Sequence, residues 1–127
     1  MNKYQSTEDY LERILMLSQD NKKVRSIDLV HSMGFSKPSI SNAVHKLAEK
    51  ELIVIDQKGY LNLTDKGYAI ASKVYERHVV LSSILEYLGV NHETAISDAC
   101  KVEHDISDET FSKLKEKYLK IKGEKNV

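Results

Sequence analysis

Apolar residues recur at helical spacing in six stretches of the chain, and two short runs that read as strands stand between the third and the fourth. The first stretch, Thr7 to Ser18, aligns Leu11, Ile14 and Leu15, with Thr7 as its cap. Asp9 and Glu12 sit three residues apart in it and share a face. A polar break at Gln19 to Lys23 follows. Ser26 then caps a short helix to about Ser32, with Ile27, Leu29 and Val30 available to a core. Gly34 ends that helix and Ser36 caps the next, which runs from Lys37 to about Lys50.

The third stretch has two unlike faces. Ile40, Ala43, Val44, Leu47 and Ala48 form its apolar stripe, while Pro38, Ser41, Asn42, His45 and Lys46 fall largely opposite, with no acid before Glu49. Two short helices joined through a tight glycine-containing turn make a helix-turn-helix, whose second helix enters a DNA major groove N-terminus first. Leu52 to Asp56 and Tyr60 to Thr64, around Gln57-Lys-Gly59, read as a hairpin, so the three elements together predict a winged helix. From Asp65 to about Leu88 a long helix carries Ala69, Ala71, Val74, Val79, Leu81, Ile84, Leu85 and Leu88 as its apolar positions, and Gly89 stops it. A helix over roughly Glu93 to His104 and another from the Ser107 cap to about Lys122 complete the chain. The expected fold is mainly α: a winged helix-turn-helix with a two-stranded wing over residues 1–72, then a helical dimerisation domain over 73–127. The last helices carry more apolar surface than a wing needs to cover, which a homodimer would bury.

With 127 residues and 30% charged residues the sequence suits a small, fully folded protein rather than a multidomain enzyme. No apolar run approaches a membrane span and the N-terminus lacks a secretory signal, so a cytoplasmic protein is expected. Net charge is zero, but residues 1–75 hold 11 Lys+Arg against 9 Asp+Glu and residues 76–127 hold 8 against 10. The sum therefore excludes nothing, because acids that hold a cation no longer repel phosphate.

Cys100, Glu103 and His104 stand at i, i+3 and i+4, which on a helix aims thiolate, carboxylate and imidazole at one point. By residue type alone, Cys100 also suits a buried apolar position or a reactive thiol, and Asp9 and Glu12 also suit the dipole near a helix start. The whole pattern resembles the DtxR/MntR family of metal-dependent repressors. The resemblance runs through Thr7-Glu-Asp-Tyr-Leu-Glu12, Gly34-Phe-Ser-Lys-Pro-Ser-Ile-Ser-Asn42, Leu63-Thr-Asp-Lys-Gly67, Arg77-His78 and Cys100-Lys-Val-Glu-His104. It implies a transcriptional regulator rather than an enzyme, with metal ligands Asp9, Glu12, His78, Cys100, Glu103 and His104. Asp9 and Glu12 look like the manganese-sensing branch and Cys100 like the iron-sensing one. The implied corepressor is Mn²⁺ or Fe²⁺, one or two ions per subunit, with Co²⁺ or Zn²⁺ able to substitute.

The implied partner is double-stranded DNA with a palindromic operator, bound by the homodimer. Asn42 suits bidentate contact with adenine, and Pro38, Ser39 and Ser41 suit base edges, thymine methyls or phosphates. Lys37, Lys46 and Lys58 are phosphate candidates, although for Lys37 and Lys58 a solvated role fits as well. Two other uses of the same residues stand beside this reading: a winged-helix regulator answering to an organic ligand or partner, and a small metalloenzyme with an open coordination position.

Overall fold

The computed structural model describes residues 3–125. Six α-helices and one two-stranded antiparallel sheet form two compact units, divided between Ser72 and Lys73.

In the first unit, α1 (Lys3–Leu17) is followed by a 3-10 turn (Gln19–Asn21), α2 (Ser26–Met33), α3 (Lys37–Glu49), β1 (Ile53–Ile55) and β2 (Leu61–Leu63). α1 starts earlier than expected. Nothing between Lys3 and Thr7 is a proline or glycine, so the helix runs through Thr7, which is no cap. Ser26 is likewise the first residue of α2 rather than its cap. The cap position belongs to Arg25, whose N–H is taken by the Asp28 carboxylate at 2.8 Å. Gly34, at φ 75°, supplies the left-handed turn into α3, and Ser36 Oγ accepts the Ser39 N–H at 3.2 Å as expected.

The core of this unit gathers one face of each element: Leu11 and Ile14 from α1, Leu29 from α2, Ile40, Val44 and Leu47 from α3, and Ile53 and Leu61 from the wing. Burying these faces leaves the opposite side of α3 in solvent. Lys37, Pro38, Ser39, Ser41, Asn42 and Lys46 are all exposed. In the wing, Ile53 pairs with Leu63 and Ile55 with Leu61. Asp56 pins the turn between them, accepting the N–H groups of Lys58 at 2.9 Å and Tyr60 at 3.0 Å. The Tyr60 N–H above all, then that of Lys58 and the Asn62 amide, holds the Asp56 carboxyl below its usual range. Lys58 is exposed at this turn.

The wing is fastened to the start of α4 (Asp65–Tyr87). Thr64 N donates to Leu52 O at 3.1 Å, while Thr64 Oγ1 donates to Glu51 O at 2.7 Å and accepts the Gly67 N–H at 3.1 Å. A Cβ on Gly67 would stand 2.0 Å from the Leu52 carbonyl oxygen, so only glycine permits this approach.

In the second unit, α4 continues to Tyr87, and α5 (His92–Val102) and α6 (Asp108–Lys125) follow. Gly89, at φ 100°, turns the chain after α4, with Val90 N bonded to Leu85 O at 2.9 Å. Leu88 therefore lies beyond the helix and is 70% exposed instead of joining its apolar stripe. Asn91 caps α5 one residue earlier than expected, and α5 ends at Val102 rather than at His104. Ser107 caps α6, its Oγ accepting the Thr110 N–H at 3.1 Å. Val74, Leu81, Ala95, Ala99, Phe111 and Ile121 are buried in this unit, whereas Tyr87, Val102 and Leu119 remain exposed. Among the described residues, no helix is long and apolar enough to cross a membrane.

The Gly67 contact has a measurable consequence. Gly67→Ala is expected to destabilise the protein by about 1–3 kcal/mol in urea unfolding, because wing or helix must shift to admit the methyl group. Gly123→Ala, on a helix where the added Cβ meets nothing, serves as the control and should cost no stability.

Candidate metal centre

The second unit buries a carboxylate. Glu103 is 1% exposed and stands at the C-terminal cap of α5, delivered there because its N–H still bonds Ala99 O at 2.9 Å. An ionised carboxylate at such a position costs several kcal/mol unless positive charge or hydrogen bonds reach it. His78, on α4, supplies one answer: its Nδ1 lies 3.0 Å from Glu103 Oε2. His104 supplies another, with Nε2 3.4 Å from Glu103 Oε1. Among the described residues, Glu103 Oε1 nevertheless finds no hydrogen bond.

Cys100 comes from the last turn of α5, three residues before Glu103, and its Sγ lies 3.8 Å from the same His78 Nδ1. Cys100 is exposed, whereas His78 and Glu103 are buried. Sulfur and carboxylate thus face one ring nitrogen. The sulfur first, then the hydrogen bond and charge of Glu103, pushes the His78 pKa up to about 10 against the opposing effect of burial. At neutral pH the His78 proton stands where three donor atoms meet.

A divalent ion fits the same place. One donor atom from each of His78, Cys100 and Glu103 lies within 4.8 Å of the others. Ligands about 2.0–2.3 Å from a shared ion stand roughly 3–4 Å apart, so small side-chain movements suffice. Imidazole, thiolate and carboxylate form a donor set for a transition metal. The Glu103 oxygen without a hydrogen bond is the further observation that favours a cation.

The expected helical triplet is only partly helical. Cys100 and Glu103 keep their i, i+3 relation, but His104 follows the end of α5 in the turn that leads to α6. Asp9 and Glu12 lie one helical turn apart on α1 of the first unit, Glu12 buried at 6% and Asp9 half-buried. On the DNA side, α3 carries six of the expected residues and the wing turn carries Lys58.

Sequence reasoning missed Arg77 as a working residue. Its guanidinium is 8% exposed, donates to Ile106 O at 2.8 Å and Glu103 O at 3.3 Å, pairs with the Asp108 carboxylate, and lies 5.2 Å from the Phe111 ring. A signal was present. Arg77 falls three residues after Val74 and four before Leu81, within an apolar stripe where an arginine is buried only with partners.

Comparison with known proteins identifies the family. Residues 4–61 match the family described as iron dependent repressor, N-terminal DNA binding domain, and residues 64–123 match its metal binding and dimerisation domain. An HTH-type transcriptional regulator of Methanocaldococcus jannaschii is 34% identical over 87% of this chain and 90% of its own length. The HTH-type transcriptional regulator MntR of Geobacillus thermodenitrificans is 32% identical over 80% of this chain and 72% of its own. The solved structure of the manganese regulator SloR superimposes with a TM-score of 0.76 at 30% identity, covering 90% of this chain. A manganese-dependent transcriptional repressor in complex with manganese gives 0.77 at 29% identity over 88% of it. The chain spans about half the length of these two structures, 53% and 52%. With both family domains matched along nearly its whole length, the chain belongs to the DtxR/MntR family of iron-dependent repressors, metal-responsive transcriptional regulators that bind DNA, a divalent metal and a second copy of themselves.

Proposed function

We propose that this protein is a transcriptional repressor that binds a palindromic operator as a homodimer when Mn²⁺ or Fe²⁺, one or two ions per subunit, occupies a centre built around His78, Cys100 and Glu103. The convergence of those three donors on one point, with a buried Glu103 oxygen left without a hydrogen bond, carries the reading. His104 joins the centre from the turn after α5, and Asp9 and Glu12 from α1 complete the ligand set that the family resemblance implies. A bound divalent ion supplies concentrated positive charge to these acids. The thiolate favours Fe²⁺, Co²⁺ or Zn²⁺, whereas the carboxylates favour Mn²⁺, so Cys100 is the residue on which metal preference turns.

DNA is read by the exposed side of α3. Asn42 hydrogen-bonds an adenine edge, Pro38, Ser39 and Ser41 meet base edges, thymine methyls or backbone near the helix N-terminus, and Lys37, Lys46 and Lys58 approach phosphates. Metal and DNA are coupled, and the coupling is reciprocal.

Duplexes enriched from a random pool by the Mn²⁺- or Fe²⁺-loaded protein should contain an inverted repeat. Their affinity, followed anaerobically by fluorescence anisotropy, should collapse on chelation and in Glu103→Ala. Unchanged affinity after chelation would falsify the repressor mechanism. Replacing Cys100 by Glu should shift the preference from Fe²⁺ and Co²⁺ toward Mn²⁺, and an indifferent metal ranking would remove Cys100 from the ligand set. On the enriched duplex, Asn42→Ala should cost about 1–3 kcal/mol and relax specificity at one base pair. Lys46→Ala should instead weaken all duplexes alike and flatten the dependence of log K on log salt by about 0.9.

The pH dependence follows from His78. Its folded-state pKa is raised to about 10, so the proton's contribution to stability is complete below the ordinary value of 6.5 and is lost as pH rises through about 10. That same proton competes with the ion. Metal affinity should therefore rise by at least about tenfold per pH unit between roughly pH 6.5 and 8.5, any thiol proton released by Cys100 adding to the slope, and a flat profile in a metal-competition titration would argue against His78 as a ligand.

A further inference from the structure

His78 and Arg77 are consecutive on α4, and they take hold of the same residue at its two ends. His78 meets the Glu103 carboxylate, and Arg77 donates to the Glu103 carbonyl at 3.3 Å. Through the same terminal nitrogen Arg77 also reaches Ile106 O at 2.8 Å, and through the other it pairs with Asp108 at the first turn of α6. Every one of these acceptors belongs to residues 103–108, the end of α5, the connection and the start of α6. That connection carries both Glu103 and His104. Without Arg77, the Glu103 and Ile106 carbonyls would lose this donor, and only Lys73, at 3.6 Å, would remain against the Asp108 carboxylate.

We infer that Arg77 is a positioning residue for the metal centre: its guanidinium locks the turn that presents Glu103 and His104, and so sets the affinity and coordination geometry of the bound ion. The inference rests on the reading of His78, Cys100 and Glu103 as ligands. Arginine suits the task because its planar fork spans several acceptors at once, which the single ammonium of lysine cannot do in the same geometry. The bonds are also shielded. Arg77 is nearly buried beside Phe111, so its hydrogen bonds to main-chain carbonyls do not compete with bulk water, although Asp108 itself is 81% exposed. Groups that hold metal ligands in place from behind contribute about 10–100-fold to metal affinity.

The test uses Co²⁺ alone as the probe, titrated anaerobically into the full-length chain, with the ligand-field bands and the thiolate-to-cobalt charge-transfer band recorded beside thermal unfolding. Wild type should show both sets of bands. Arg77→Lys should bind Co²⁺ about 10–100-fold more weakly and with shifted ligand-field bands. Asp108→Asn, which alters one exposed side chain and leaves the carbonyl bonds in place, should move both readouts in the same direction by less. A variant at Arg77 that loses thermal stability but keeps wild-type affinity and bands would overturn the proposal. Should the Arg77 variants not fold, Asp108→Asn decides alone: wild-type affinity and spectrum in it overturn the proposal. A wild-type chain that takes up no Co²⁺ sinks the metal-centre reading itself, whereas bands unmoved by Arg77→Lys sink only the role of Arg77.

Discussion

The buried Glu103 carboxylate is the constraint around which the second unit is organised. A charge at 1% exposure must be met by other charges or by donors, and residues of α4 and of the turn after α5 are placed to do so. His78 and His104 face its two oxygens, Cys100 shares the His78 nitrogen, and Arg77 holds its carbonyl. The cluster is thus incomplete as a purely structural device. A fully satisfied buried network would leave no oxygen without a hydrogen bond, and this one does.

The first unit is held together differently. Its core is apolar, drawn from one face of each helix and from the wing, and its polar bonds include the caps at Arg25 and Ser36, the Asp56 turn, and the Thr64 bridge to Glu51. This division suits a sensor. The solvent side of α3 stays presented because the apolar face behind it is packed into the core. α4 belongs to both, anchoring the wing through Gly67 and carrying Arg77 and His78.

Glu103 and the His104 side chain are sealed off, whereas Cys100 is exposed. A thiolate there would bind soft cations in preference to hard ones.

Much of this was legible in the chain. Periodicity located the six helices, and the stripe of Ile40, Val44 and Leu47 decided which side of α3 faces solvent, because an amphipathic helix has one way to bury its apolar face. The chemistry-bearing types at Cys100, Glu103 and His104 were visible as a local spacing. Boundaries were less so: Thr7 and Ser26 are good caps by type, but α1 already runs from Lys3 through Thr7, and the cap position before α2 falls on Arg25, whose N–H meets the Asp28 carboxylate. Tertiary structure alone decided that α5 stops at Val102, which moves His104 into a turn, and that Arg77 is buried against residues 26 to 31 positions away. Spacing along one helix is a local property that any sequence displays. Which buried charge meets which distant partner depends on how α4, α5 and α6 pack, and no pattern within a single element encodes it.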